Sequence, residues 1–144
     1  MPKLPLHYVD LRAFCYATED DERVERALRT FLPEEFPIER AETEGHYGDR
    51  ILVLSTRVEN ADDIRHVLDA VGELGEAELE RMHEELDERV DENCSLFLRF
   101  DKQSAYKSEV AFGDGITFRA KVEAYPAKKD AAVENAGDVL PGPE

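Results

Sequence analysis

Residues 6–17, LHYVDLRAFCYA, put Val9, Leu11, Ala13, Cys15 and Ala17 on one side of an extended chain and Tyr8, Asp10, Arg12, Phe14 and Tyr16 on the other. Successive side chains of a strand point to opposite faces, so this alternation predicts a long strand with one aliphatic face and one aromatic and polar face. A strand of this kind belongs in a sheet that is covered on one side and partly open on the other.

The rest of the chain supplies the partners and the cover. Thr18-Glu19-Asp20-Asp21 is a helix-start signal, and Val24, Ala27, Leu28 and Phe31 follow at helical spacing up to Pro33. FPIERAETE and RILVLSTRV read as two strands joined by the turn GHYGD, a hairpin with a long tip. Asn60 caps a helix whose apolar stripe is Ile64, Val67, Leu68 and Val71. An acidic helix carrying Leu79, Met82, Leu86 and Val90 comes next. Alternation returns in CSLFLRFD. SEVAF and ITFRAKVEAY flank Gly113-Asp114-Gly115 as a second expected hairpin, with DKQSAYK before them as a polar loop. Hairpins and short connections predict an α+β domain: an antiparallel sheet with helices packed on one face. Residues 1–129 form this single domain, and residues 130–144 an acidic tail, either a short helix or, over AGDVLPGPE, disordered.

Charge is uneven. The chain has 34 acids against 18 bases, a net of −16, and its bases are 12 Arg and 6 Lys. Acids spread along the whole chain, with few lysines, fit a surface adapted to concentrated salt, and so a halophilic cytosol. Against that trend, residues 99–129 carry seven bases and four acids, which makes them the stretch most suited to an anionic partner. Nothing approaches the ~18 apolar residues of a membrane span, and MPKLPLHYVD lacks a signal-peptide layout. A cytoplasmic location without membrane contact is expected. Cys15 and Cys94 lack the spacing of a zinc site or disulfide framework and read as small buried hydrophobes.

The second face of the sheet collects Tyr8, Arg12, Phe14, Tyr16, Arg57, Phe97, Arg99, Arg119, Lys121 and Tyr125. Arginines provide phosphate contacts and aromatics offer stacking platforms, the mixture an RNA-binding sheet requires. Lys102, Gln103, Tyr106 and Lys107 in DKQSAYK add candidate backbone contacts, with Lys128 and Lys129 beyond the last strand. The plainer alternative makes Phe14 and Phe97 core residues under a helix or loop and the polar residues ordinary solvated positions.

No P-loop, GxGxxG, GxSxG or HExxH occurs in the sequence. The glycine-flanked loop offers His46 with Glu44 or Asp49, from which a metal-dependent hydrolase could be built. No other group in the sequence can be assigned as its catalytic partner, so neither an enzyme nor a cofactor is expected.

HYVDLRAFCYATEDDERVERAL, ETEGHYGDRI, VDENCSLFLRFDKQSAY and ITFRAKVEAYPAK resemble segments of a small archaeal RNA-binding protein family described as a predicted exosome subunit, and in particular its haloarchaeal members. The resemblance covers about residues 6–129. It implies a fold like that of the ribosomal protein that binds 5S rRNA, and RNA binding without catalysis. The matching segments contain Arg12, His46, Tyr47, Arg50, Arg99, Lys102, Gln103, Tyr106, Arg119 and Lys121. The expected partner is RNA, with exosome or ribosomal components beyond it. The alternative is a protein-interaction or dimerisation module of an RNA-processing complex, its open face taken by a partner or a second copy.

Overall fold

The computed structural model describes residues 4–45 and 47–142. Its elements run β1 (Leu6–Cys15), α1 (Asp21–Arg29), β2 (Glu39–Glu44), β3 (Arg50–Val58), α2 (Ala61–Val71), α3 (Glu76–Glu84), α4 (Leu86–Arg89), β4 (Ser95–Phe100), α5 (Lys102–Tyr106), β5 (Ile116–Val122) and α6 (Lys129–Val139). The strands form one antiparallel sheet in the order β2-β3-β1-β5-β4, an α+β arrangement.

The two-faced strand is the centre of that sheet. β1 is hydrogen-bonded to β3 on one side and β5 on the other. Val9, Leu11, Ala13 and Cys15 are buried, with Leu54, Val58, Phe118 and Ala120 beside them on the neighbouring strands. Leu6 is also buried although it falls on the opposite parity. A register shift between Leu6 and Tyr8 accommodates it, as a bulge does by re-aiming one side chain.

Helices cover that face. α1 starts at Asp20, whose carboxylate accepts from the Glu22 amide at 3.0 Å, two residues after the expected Thr18. It buries Val24, Ala27 and Leu28, and Phe31 follows with its ring centroid 4.7 Å from that of Phe100. Phe100 also packs edge-on against Phe118 at 6.3 Å. α2 begins at Asn60 as expected and buries Ile64, Val67, Leu68 and Val71.

Four segments differ from expectation. The acidic helix expected to run through Leu79, Met82, Leu86 and Val90 is two helices, α3 and α4, parted at Glu85, and Val90 is extended and bridges to Leu96. DKQSAYK is helical, because Asp101 caps α5 by accepting from the Ser104 amide at 3.0 Å and the Ser104 hydroxyl at 2.7 Å. SEVAF is not a strand partner of β5. β5 pairs with β1 and β4 instead, leaving only the Phe100–Phe112 bridge. Gly113 and Gly115 accordingly serve close packing rather than a two-strand turn: a Cβ on Gly113 would lie 2.5 Å from the Asp101 Cβ, and one on Gly115 would lie 2.7 Å from the Lys102 Cβ. The start of AGDVLPGPE belongs to α6, which buries Ala132 and Ala136, with Leu140 buried just after it.

The GHYGD turn does close a hairpin. β2 pairs with β3 from Glu39↔Ser55 to Glu44↔Arg50, and the Gly45 amide donates to the Asp49 carbonyl at 2.7 Å. Gly48 takes φ +79°, a left-handed conformation that glycine adopts without a Cβ penalty. Arg50 has the parity of Leu52 and Leu54, so it projects to the helix side. There it reaches Asp21 at 3.1 Å and Glu42 at 2.9 Å. Arg40 similarly reaches Glu25 of α1 at 2.9 Å. Asp21 also accepts from the buried Cys15 thiol at 3.3 Å. Burial and that hydrogen bond push the Cys15 thiol up to about 11. The Cys15 and Arg50 hydrogen bonds hold the Asp21 carboxyl below its ordinary value, and those from Arg40 and Arg29 do the same for Glu25.

Outcomes follow for the two glycines and for pH. Gly113→Ala is expected to lose about 1–3 kcal/mol in urea unfolding through forced overpacking against Asp101. Gly48→Ala, with open space around it, is expected to lose only the left-handed backbone penalty of about 1–2 kcal/mol. The raised thiol makes stability fall as pH climbs from 9 toward 11, since the unfolded thiol ionises first. The lowered Asp21 and Glu25 carboxyls contribute stability above their ordinary values of 3.8 and 4.5, and that contribution is lost as pH falls below them. Thermal melts across pH 3–11 read both limbs. A melting temperature flat above pH 9 in wild type, or a fall that Cys15→Ser leaves unchanged, contradicts the thiol assignment.

Candidate nucleic-acid interface

The uncovered face is built by the remaining parity of β1, β5 and β4. It carries Tyr8, Asp10, Arg12 and Phe14, then Thr117, Arg119 and Lys121, then Phe97 and Arg99, with Ser95 at the same parity but buried. These ten positions lie on three adjacent strands, and Asp10 is the single carboxylate among them. Phe14 and Phe97 remain 36% and 40% exposed, so they are not core under a helix or loop.

Pairing sets which side chains are neighbours. One row across the sheet reads Glu39, Ser55, Arg12, Thr117, Arg99. Arg12 therefore has hydroxyl residues on both sides and no carboxylate opposite it. The next row reads Arg57, Asp10, Arg119, Phe97. Arg57 binds Asp10 through Nε at 2.8 Å and Nη2 at 3.0 Å, and its guanidinium lies 3.9 Å from the Tyr8 ring centroid. This occupies both Asp10 oxygens and raises the Arg57 pKa through the hydrogen bonds to Asp10. Arg119 leans over Phe97 instead, at 6.0 Å. The third row pairs Tyr8 with Lys121 and Lys121 with Ser95, and the Lys121 ammonium donates to the Asn93 carbonyl. An open cleft of about 590 Å³ sits beside the first two rows, lined by Arg12, Arg57 and Ser55 together with the acidic residues Asp10, Glu39 and Glu59, among others.

The expected site residues divide into three groups. Arg12, Arg57, Arg99, Arg119 and Lys121 come together on this face, with Arg99 70% exposed and 3.5 Å from Asp114. Lys102, Gln103, Tyr106 and Lys107 lie on or next to α5, at the end of the sheet where β1 and β4 finish. Lys102 is largely enclosed: its ammonium donates to the Phe14 carbonyl and to Glu19, both at 2.8 Å. Tyr47 and Arg50 lie at the same end, Tyr47 at the hairpin tip and 87% exposed, Arg50 turned to the helix side. His46 lies outside the described residues.

The arginines are not equally engaged. Eight of the twelve form ion pairs with carboxylates: Arg29, Arg40, Arg50, Arg57, Arg65, Arg81, Arg89 and Arg99. Arg12, Arg23, Arg26 and Arg119 form no ion pair with a described residue. Of these, Arg23 and Arg26 were not among the expected site residues. They sit in the helix-start segment DDERVERAL, where periodicity reports only the buried face, and their contact with Tyr106 depends on α5 packing against α1. Among the described residues no three of His, Cys, Asp and Glu converge into a metal-binding group, and no helix is long and apolar enough to cross a membrane.

A family model described as RNA binding matches residues 8–122, which takes in β2 to β5 and β1 from Tyr8 onward. An RNA-binding protein of Pyrococcus abyssi is 39% identical over 97% of this chain and 97% of its own length. Two solved structures share the fold. A protein of Archaeoglobus fulgidus assigned to DUF54 has a TM-score of 0.82 at 32% identity, over 94% of this chain and 99% of that one. A DUF54 protein of Methanothermobacter thermautotrophicus has a TM-score of 0.78 at 38% identity, over 94% and 98%. With the matched region containing all but the first two residues of the sheet, this chain belongs to the archaeal RNA-binding family.

Proposed function

We propose that this protein binds RNA on the open face of its sheet and acts as a non-catalytic accessory in RNA processing, in an exosome-related or ribosome-related assembly. The observation that carries the reading is Arg12 and Arg119. In a chain with 34 acids and 18 bases, two guanidiniums stand on this face without a carboxylate partner, beside the exposed rings of Phe14 and Phe97. A guanidinium with free donors matches a phosphate bidentately. An exposed ring accepts an unstacked base at about 1–3 kcal/mol per base.

The acidic composition supports operation in concentrated salt. The screening length is only about 3 Å at 1 M, so the −16 net charge does not repel RNA at a distance. Counterion release also contributes less there, which leaves affinity to stacking and direct hydrogen bonds. Arginine suits that regime better than lysine, and the face carries three unburied arginines besides the paired Arg57.

Fluorescence anisotropy with single-stranded RNA in molar KCl tests the reading. Wild-type chain is expected to bind, Arg12→Gln/Arg119→Gln to bind at least about tenfold more weakly, and Phe97→Ala to lose about 1–3 kcal/mol. Sedimentation run alongside reads the competing possibility. If the chain dimerises and binds no RNA at any salt concentration, the face is an interface between copies and the RNA reading is wrong.

A further inference from the structure

Arg23 and Arg26 are the other two arginines without an ion pair to a described residue, and they stand away from the sheet face. They are three residues apart on α1, so they project from one side of it. Their guanidinium carbons lie 4.6 Å and 5.4 Å from the centroid of the Tyr106 ring, at the end of α5. Where α1 and α5 meet, an open cleft of about 510 Å³ is bordered by residues 18–20, Arg23, Lys102, Tyr106 and Lys107, with others.

The chemistry of this cleft is directional. A guanidinium stacked on a ring uses its flat face, and its N–H donors, which lie in its plane, stay available. Two guanidiniums gathered over one tyrosine ring, neither paired with a carboxylate among the described residues, can offer their donors to a tetrahedral phosphate. The cleft also contains Glu19 and Asp20, each engaged through one carboxylate oxygen. Glu19 accepts from the Lys102 ammonium at 2.8 Å and the Tyr16 amide at 3.1 Å. Asp20 caps α1 through the Glu22 amide. Arg23 and Lys107, which pair with no carboxylate among the described residues, remain on the cleft wall to face a ligand, and Arg26 stands beside the cleft over the Tyr106 ring.

The cleft connects to the open face. Lys102 donates to the Phe14 carbonyl, and its ammonium lies 5.3 Å from the Tyr16 ring centroid. Phe14 is on the open face, and Tyr16, 52% exposed, stands where β1 turns toward α1. A strand crossing Phe97 and Phe14 meets Tyr16 next and then the cleft.

We propose that the α1–α5 cleft is a second phosphate-binding site, which takes the phosphodiester backbone of an RNA strand after it leaves the sheet face across Tyr16. This rests on RNA being the ligand of the sheet face, and the two readings separate by RNA length. The full chain, Arg23→Gln/Arg26→Gln and Arg12→Gln/Arg119→Gln are titrated in molar KCl with single-stranded RNAs of about 4 and about 12 nucleotides, the range of lengths that single-strand-binding surfaces occupy. The cleft variant is expected to bind the short RNA like wild type and the long RNA about tenfold more weakly, from lost charge-assisted hydrogen bonds. The sheet variant is expected to weaken both. If the cleft variant binds the long RNA like wild type, the second site is overturned and the sheet reading stands. If the sheet variant weakens neither, the proposed function loses its face and the route proposed here goes with it. Ultraviolet crosslinking of the long RNA to unaltered chain reads the same point without substitution: crosslinks at Tyr16 or Tyr106 support the route, and their absence alongside crosslinks at Phe97 overturns it. Inorganic phosphate bound as tightly as the long RNA would instead mark a free-anion site and overturn the backbone assignment.

Discussion

The hydrogen-bonded position of β1 between β3 and β5 is what the other features depend on. A strand period of two means that a one-residue slip would exchange its faces. Val9, Leu11 and Ala13 would turn to solvent, and Arg12 would be driven beneath α1 without a partner. Burial of the aliphatic side therefore sets the register, and the register in turn sets every cross-strand row on the open side. Core and candidate interface are two consequences of one alignment.

Charge placement follows from that alignment. Carboxylates outnumber basic groups by nearly two to one, so an arginine on this surface will meet an acid unless geometry prevents it. Ser55 and Thr117 prevent it at Arg12 by occupying the flanking positions. At Arg119 the acid directly across the strand pair, Asp10, is held at both oxygens by Arg57. Arg23 and Arg26, which pair with no carboxylate among the described residues, lie over the Tyr106 ring. Single exposed ion pairs contribute little to stability, so Arg57–Asp10 matters chiefly for what it leaves uncommitted. Arg50 and Lys102, by contrast, spend their donors inside the molecule, tying the hairpin and α5 to the start of α1.

Legibility varied with how local the deciding interaction was. The two faces of β1, the β2–β3 hairpin and the Asn60-capped helix were legible because periodicity and capping act within a few residues. DKQSAYK and SEVAF were not. Their conformations depend on Asp101 capping α5 and on β5 choosing β1 and β4 over the nearby SEVAF segment. The GHYG loop was legible as a turn, yet the direction of Arg50 was not, since it required knowing which parity of β3 faces the helices.

By itself the sequence determined that one long strand has an apolar and an aromatic-basic face, that residues 99–129 resist the general acidity, and that an α+β domain must result. Those properties are local, carried by alternation and composition. The tertiary structure decided the strand order, and so which of the basic residues stand side by side. It also decided which arginines keep their donors free, because whether a carboxylate lies within reach depends on residues tens of positions away: Asp10 is 47 residues from Arg57, and Lys102 is 83 from Glu19. Distances of that kind are created by long-range pairing and packing, and no pattern along the chain contains them.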